Sequence, residues 1–245
     1  MEGTVTVGLE RLTYVGAVAA TPQHAHSTFQ FLAVPSDQVR VRNAHGPNGL
    51  EGDRWVIPPK LIHSVDEERA RAVVVYVEPD SRLGVSLALA VGDPRRTALM
   101  HWRDAGRAIS RDLLAPNGRG VSASPSPARL SPAVEQTVRE LPILMTSKVF
   151  MVQLAGRVGL GPEQLSDLFA REVGISVRAY IRWLRLRRAV EILMQRGRIW
   201  EAARAGGFPT LRDMETEFRR AFGFVPAMTD RIEWRIESEF GLRPQ

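Results

Sequence analysis

The sequence predicts an α+β protein, with a β-barrel or sandwich at its N-terminus, then a linker, then an all-α unit. Three observations carry this reading. Short apolar or alternating runs come first, broken by Pro, Gly, Asn and Asp. A segment rich in Pro, Gly and Ser follows. Beyond it, apolar residues recur at helical spacing to the end of the chain, in a pattern that occurs twice.

The β runs are Phe29–Val34, Val39–Val41, Trp55–Ile57 and Ala72–Val77, separated by turn-forming stretches such as Pro35-Ser36-Asp37 and Gly46-Pro47-Asn48-Gly49. Helical character is expected to begin near His101. Trp102, Ala105, Ile109 and Leu113 lie on one stripe of a helix over 102–114. That stripe either packs across a two-fold axis in a homodimer or lies back on its own β unit. Residues 1–114 therefore form one domain, and 115–132 a linker by composition. Residues 133–232 form the α domain, and 233–245, with Trp234, Ile236 and Phe240, a final helix docked on the bundle.

Composition excludes several functions. With 245 residues and no cysteine, the chain has neither disulfides nor thiolate chemistry. No apolar run approaches the roughly 20 residues that span a bilayer. The stretch Leu12–Ala20 follows Glu2 and Glu10 rather than a basic segment, which argues against a secretory signal and for a cytoplasmic protein without membrane partners. The chain has no G-x-S-x-G elbow, P-loop, G-x-G-x-x-G fingerprint or H-E-x-x-H pair, so an enzyme is not expected. The net charge of +6 is carried by arginine, with Lys60 and Lys148 the only lysines. It divides as +2 before residue 132 and +4 from there on, which permits a nucleic-acid partner without requiring one.

The repeat is more specific. Ala155-x3-Gly159 and Phe169-x4-Gly174 recur as Ala203-x3-Gly207 and Phe218-x4-Gly223, offset by 48 residues at the start and 49 at the end. Each copy reads as helix, Gly turn, helix, with the small Ala at a close helix crossing. Pro162 suits a first helical position, Thr210 an N-cap, and Ser176 the cap of a long arginine-rich helix running to about Gln195. Leu165, Leu168 and Phe169 face inward in the first copy, as do Leu211, Met214, Phe218 and Phe222 in the second. Two helix-turn-helix units on one linking helix can place two recognition helices in successive major-groove segments. A plain helical bundle is the competing reading.

The stretch Leu154–Phe169 with Gly174-Ile175-Ser176 and Tyr180, the run Arg185–Ala189, and Ala203-x3-Gly207-Phe208 through Phe218–Gly223 to Pro226 together resemble AraC/XylS-type regulators over about 80 residues. The resemblance implies a DNA-binding transcriptional regulator, commonly a homodimer, with double-stranded DNA and RNA polymerase as partners. It carries DNA contact onto Glu163, Gln164, Ser166, Asp167 and Arg171 in the first copy. In the second it carries contact onto Arg212, Asp213, Glu215, Thr216, Arg219 and Arg220. Acidic residues stand where many members have basic or amide side chains. Phosphate repels them, but a cytosine amino group can donate to them. Ala202 also replaces a usual larger aliphatic residue.

The N-terminal part is similar to the cupin-like sensor domains of this family. His24-Ala25-His26, Gln30 and Gly52-x5-Pro58-x-Lys60-x2-His63 fall near the two cupin motif spacings. His24 and His26 share one face of a strand, and Gln30 keeps the same parity. Gln30 stands at the usual acidic ligand, and Lys60 at a usual glycine. Three readings stay open for His24, His26, Gln30 and His63: contact with a small-molecule effector, a divalent metal, or packing. No cofactor is required. The alternative function is a metal-dependent cupin oxygenase or isomerase fused to a degenerate DNA-binding-like domain.

Overall fold

The computed structural model describes residues 2–8, 10–35, 37–44, 48–79, 81–92, 97–109, 130–145, 149–173, 175–223 and 231–236. Seven strands come first: β1 (Glu2–Val7), β2 (Arg11–His24), β3 (Phe29–Ala33), β4 (Val39–Asn43), β5 (Leu50–Gly52), β6 (Arg54–Ile57) and β7 (His63–Val77). The long strands β2 and β7 pair antiparallel along their length and form the spine. On the other side of β7, β4 pairs at its start and β3 at its end, and these carry β5 and β6 respectively. The expected β runs lie in β3, β4, β6 and β7, apart from Val34, which follows β3. Strands β1 and β5 and most of β2 were not anticipated; only the His24 end of β2 was read as a strand.

Alternation assigns the faces. Leu32, Tyr76 and Val74 share the inner core with Val5, Leu12, Tyr14, Val41 and Trp55. Phe29, Phe31, Val75 and Val77 point the other way. Two helices, α1 (Arg82–Val91) and α2 (Leu99–Ala108), cover that outer face, so β3 is buried at every position. In α1, Leu83, Leu87 and Val91 recur every four residues and pack on it, with Ser81 Oγ accepting from the Gly84 amide as N-cap. Helical structure thus begins at Arg82, ahead of the expected start near His101.

The helix expected over 102–114 is α2, and it ends at Ala108. Trp102 and Ala105 are fully or nearly fully buried against the β domain, so these two residues of the stripe pack within the chain. Leu113 and linker residues 115–129 lie outside the described residues.

The α domain comprises α3 (Pro132–Leu144), α4 (Met151–Arg157), α5 (Pro162–Val173), α6 (Val177–Met194), α7 (Ile199–Ala205) and α8 (Leu211–Phe222). Ser176 Oγ caps α6 by accepting from the Ala179 amide. Gly159 and Gly207 each take φ 70°, the left-handed turn that ends the first helix of each copy. Phe169 and Phe218, at matching places in the two copies, are fully buried and hold α5 and α8 on the bundle. Each such burial is worth about 1.5–3 kcal/mol. Ala202 and Ala203 are buried within the bundle, so the small residue is accommodated at a tight packing position.

The C-terminal expectation is corrected. In place of a helix over 233–245, the described residues there form β8 (Arg231–Ile236), which pairs parallel with β1. Ile232, Trp234 and Ile236 pack on the core while Glu233 and Arg235 are exposed, a period of two that belongs to a strand. The last described segment therefore belongs to the N-terminal sheet.

Candidate nucleic-acid interface and histidine cluster

The two recognition helices superimpose in sequence at an offset of 49: Leu165 on Met214, Phe169 on Phe218, Arg171 on Arg220. Helix α5 exposes Glu163, Gln164, Asp167, Ala170 and Arg171, with Ser166 half-buried. Helix α8 exposes Arg212, Asp213, Thr216, Arg219 and Arg220, with Glu215 half-buried. Every residue assigned to DNA contact is thus at least partly solvent-facing, and the inward faces are the expected ones.

Two of those residues have a local task. Asp213 Oδ2 accepts from the Thr210 amide at 3.0 Å and from its hydroxyl at 2.7 Å, while Thr210 Oγ1 accepts from the Asp213 amide at 3.1 Å. This is a capping box, which satisfies amides that the first helical turn leaves without partners. Gln164 does the corresponding job in α5, its Oε1 accepting from the Gly161 amide at 3.0 Å. Asp213 and Gln164 thus each cap their own helix start through one side-chain oxygen while staying exposed. Asp167 and Glu215 take no part in either cap. Helix α8 exposes three arginines and one carboxylate, whereas α5 exposes one arginine and two carboxylates. The second motif therefore carries the more positive exposed face.

The β domain gathers the other predicted residues. His24 and His63 are antiparallel partners in β2 and β7, Gln30 pairs with Tyr76 across β3 and β7, and His26 follows the end of β2. The rings of His24 and His63 lie 4.4 Å apart, and those of His26 and His63 lie 5.0 Å apart. In all three, Nδ1–H donates to a backbone carbonyl: His24 to Pro22, His26 to Thr28 and His63 to Leu61, at 2.9, 2.9 and 3.0 Å. A neutral ring so committed keeps a bare lone pair on Nε2. Gln30 Oε1 lies 2.7 Å from His26 Nε2 and 3.0 Å from His63 Nε2. Its amide satisfies both lone pairs by a half-turn that presents NH2, one hydrogen to each ring.

Burial keeps the His26 and His63 rings neutral. It pushes the His26 pKa down to about 4 and that of His63 to about 3, with the neighbouring histidines adding to both shifts. Tyr76, packed edge-on against His26, is raised by the same burial. One ring nitrogen from each histidine lies within 4.8 Å of the others. Three imidazoles whose tautomers are fixed by carbonyls fit a divalent transition-metal ion, because neutral imidazole is its ligand and the hydrogen-bonded Nδ1–H orients the ring. Lys60 takes the left-handed conformation at φ 65° where the resemblance has glycine, and its amide donates to the His26 carbonyl at 2.7 Å.

Sequence reasoning missed the residues that join the two domains. Glu78 is 4% exposed and accepts from both Arg182 and the Trp183 indole of α6, the latter at 3.2 Å. Arg182 also faces Glu217 of α8 at 3.7 Å. Thr28 Oγ1–H donates to the Ala221 carbonyl at 2.5 Å, and the Ser27 amide to that of Arg220 at 2.7 Å. Phe222 stacks on Tyr76 and on Trp183, at 5.5 and 5.6 Å between ring centres. Nothing in the local pattern around Glu78 distinguishes it from a surface loop residue.

Residues 154–231 match the family model described as a helix-turn-helix domain. The segment is a helix-turn-helix domain. Among solved structures, the chain is similar to the C-terminal domain of AraT, a response regulator from Geobacillus stearothermophilus. There the identity is 26%, coverage is 42% of this chain and 88% of that one, and the TM-score is 0.39. An AraC-type regulator from Chromobacterium violaceum is also 26% identical, with coverage of 40% and 88% and a TM-score of 0.36. ToxT from Vibrio cholerae aligns over 89% of this chain and 97% of its own at 12% identity and a TM-score of 0.43. No curated protein matches the chain. The helix-turn-helix domain spans most of α4 through α8, the part of the chain in which the two copies of the repeat lie.

Proposed function

We propose that the protein is a DNA-binding transcriptional regulator whose β domain is a ligand-responsive sensor. The observation that carries this is the pair of outward-facing recognition helices, α5 and α8, joined by the single long helix α6 within a helix-turn-helix domain. Double-stranded DNA is the partner. A regulator of this kind works in the cytoplasm, and by the resemblance it acts on RNA polymerase and as a homodimer. The sensor is the β domain, with the lone pairs of the histidine cluster as its chemical handle. The His24 Nε2 lone pair can receive a Lewis acid or a hydrogen-bond donor directly, and those of His26 and His63 can once the Gln30 amide turns away. A carboxylate effector would need protonated imidazoles, which burial opposes.

Selection of bound duplexes from a random pool with the full-length protein tests the reading. The expected product is one enriched site covering two neighbouring major-groove segments. Arg212→Ala or Arg219→Ala should then weaken binding to all sequences and lower the salt slope by about one. Asp167→Ala should change preference at one position, by about 1–3 kcal/mol for a lost cytosine contact. Absence of any binding at low salt would overturn the regulator reading. Tighter binding of the Asp167 variant to every sequence would overturn the cytosine contact.

A further inference from the structure

The first helix of the second motif has an outer face unlike that of its counterpart. In α7, Ile199, Ala202 and Ala203 pack inward on the bundle. Trp200 and Arg204, four residues apart and therefore on one side of the helix, are exposed, and Arg198 is exposed just ahead of them. Trp200 is 50% exposed, whereas Trp55, Trp102 and Trp183 are fully buried and Trp234 is half-buried on the core. Among the described residues, nothing accepts from the Trp200 indole and Arg204 has no ion-pair partner. The helix start is already satisfied, because Glu201 Oε2 accepts from the Arg198 amide at 2.7 Å. What this face offers is its side chains.

The repeat gives the comparison. At the offset of 48 that aligns Ala155 with Ala203, Trp200 corresponds to Val152 and Arg204 to Gly156. Val152 is 71% exposed, and a Cβ at Gly156 would meet nothing within 4 Å. That side of α4 is as open as that of α7, yet it carries neither a charge nor a side-chain donor.

In a helix-turn-helix unit whose second helix lies in the major groove, the first crosses the sugar–phosphate backbone. An indole N–H donates and accepts nothing, and a guanidinium adds positive charge to its donors. Phosphate oxygens accept from both, so a tryptophan and an arginine one turn apart complement a DNA strand. We propose that α7 holds one strand of the duplex by donation from Trp200 and Arg204 to its phosphates. Helix α4 has no such hold, so the second motif anchors the protein on DNA. The inference rests on the regulator reading above and adds residues that position the protein without reading bases.

The test uses the full-length protein with the duplex enriched by selection and a random duplex of equal length, each titrated over a range of salt. Trp200→Phe keeps a ring and loses the N–H. It should weaken both duplexes equally, about tenfold, and leave the salt slope and base preference unchanged. Arg204→Ala should lower the slope by about one, and Gly156→Arg, which plants the same charge on α4, should raise it by about one. Acrylamide should quench Trp200 emission in the free protein, and bound duplex should protect it; Trp200→Phe should remove the protected component. Equal quenching with and without bound DNA would overturn the proposal, as would unchanged affinity and slope in the Trp200 and Arg204 variants. Lost promoter activation at unchanged DNA binding would also overturn it, by giving this face to a protein partner. A parent protein that binds no duplex at low salt would sink the regulator reading and this proposal together, whereas parent-like variants of a binding protein would sink the proposal alone.

Discussion

His26 and His63 show what single residues contribute here. Both are neutral when folded, because burial lowers their pKa values to about 4 and about 3 from the ordinary 6.5. An unfolded chain takes up those two protons near pH 6.5, whereas the folded protein refuses them until far lower pH. Stability is therefore fully present above pH 6.5 and is lost as the pH falls from there towards 4 and 3. The slope is about 1.4 kcal/mol per pH unit for each histidine. Thermal unfolding of the metal-free protein should show Tm falling between pH 6.5 and 4, and His26→Asn should flatten that fall. An unchanged profile in the variant would mean that the ring is solvated. The positions of these histidines were legible from spacing alone, as was the parity that brings Gln30 to them. Their tautomers were not, because those depend on the carbonyls of Pro22, Thr28 and Leu61, which only the folded chain brings into range.

At the scale of elements, α5 and α8 are amphipathic helices whose buried and exposed faces follow directly from a 3.6-residue period. Their starts are a different matter. Asp213 looks like a base-reading residue in the aligned motif, and the structure gives it to the Thr210 cap. Asp213→Ala should lower stability by about 1 kcal/mol, seen as a lower Tm, and leave the base preference of the selected site in place. A changed base preference at full stability would return Asp213 to the DNA surface. The strand β8 makes the complementary point. Its alternating Ile232, Trp234 and Ile236 are visible in sequence, but six residues on the far side of a helical domain offer no hint that their pairing partner is β1.

Across the described residues, the helical part of the chain is held to the β domain by β8 on β1, the last turn of α8 on Ser27 and Thr28, and, third, Arg182 with Trp183 on Glu78, among other contacts. The third is a buried charged network, in which Arg182 lies between the carboxylates of Glu78 and Glu217. Removing one partner of a buried pair leaves the other charge uncompensated, at a cost of about 3–5 kcal/mol. Glu78→Ala should therefore lower Tm sharply and red-shift Trp183 emission as the indole loses its acceptor. Glu78→Gln should recover part of both, because an amide oxygen still accepts from the indole and the guanidinium. Equal behaviour of the two variants would mean that shape alone, and no charge, holds the junction.

By itself the sequence determined which segments became strands and helices in most of the chain, the repeated helix-turn-helix motif, and the candidate residues on both domains. These are local properties, set by hydrophobic period, turn residues and motif spacing, and they survive whatever the rest of the chain does. Tertiary structure decided that α2 packs inward, that the chain returns to its first sheet as β8, and that the end of α8 sits on Ser27 and Thr28. Each of those is a contact between residues far apart in sequence. Its free energy depends on shape and burial that no local pattern encodes.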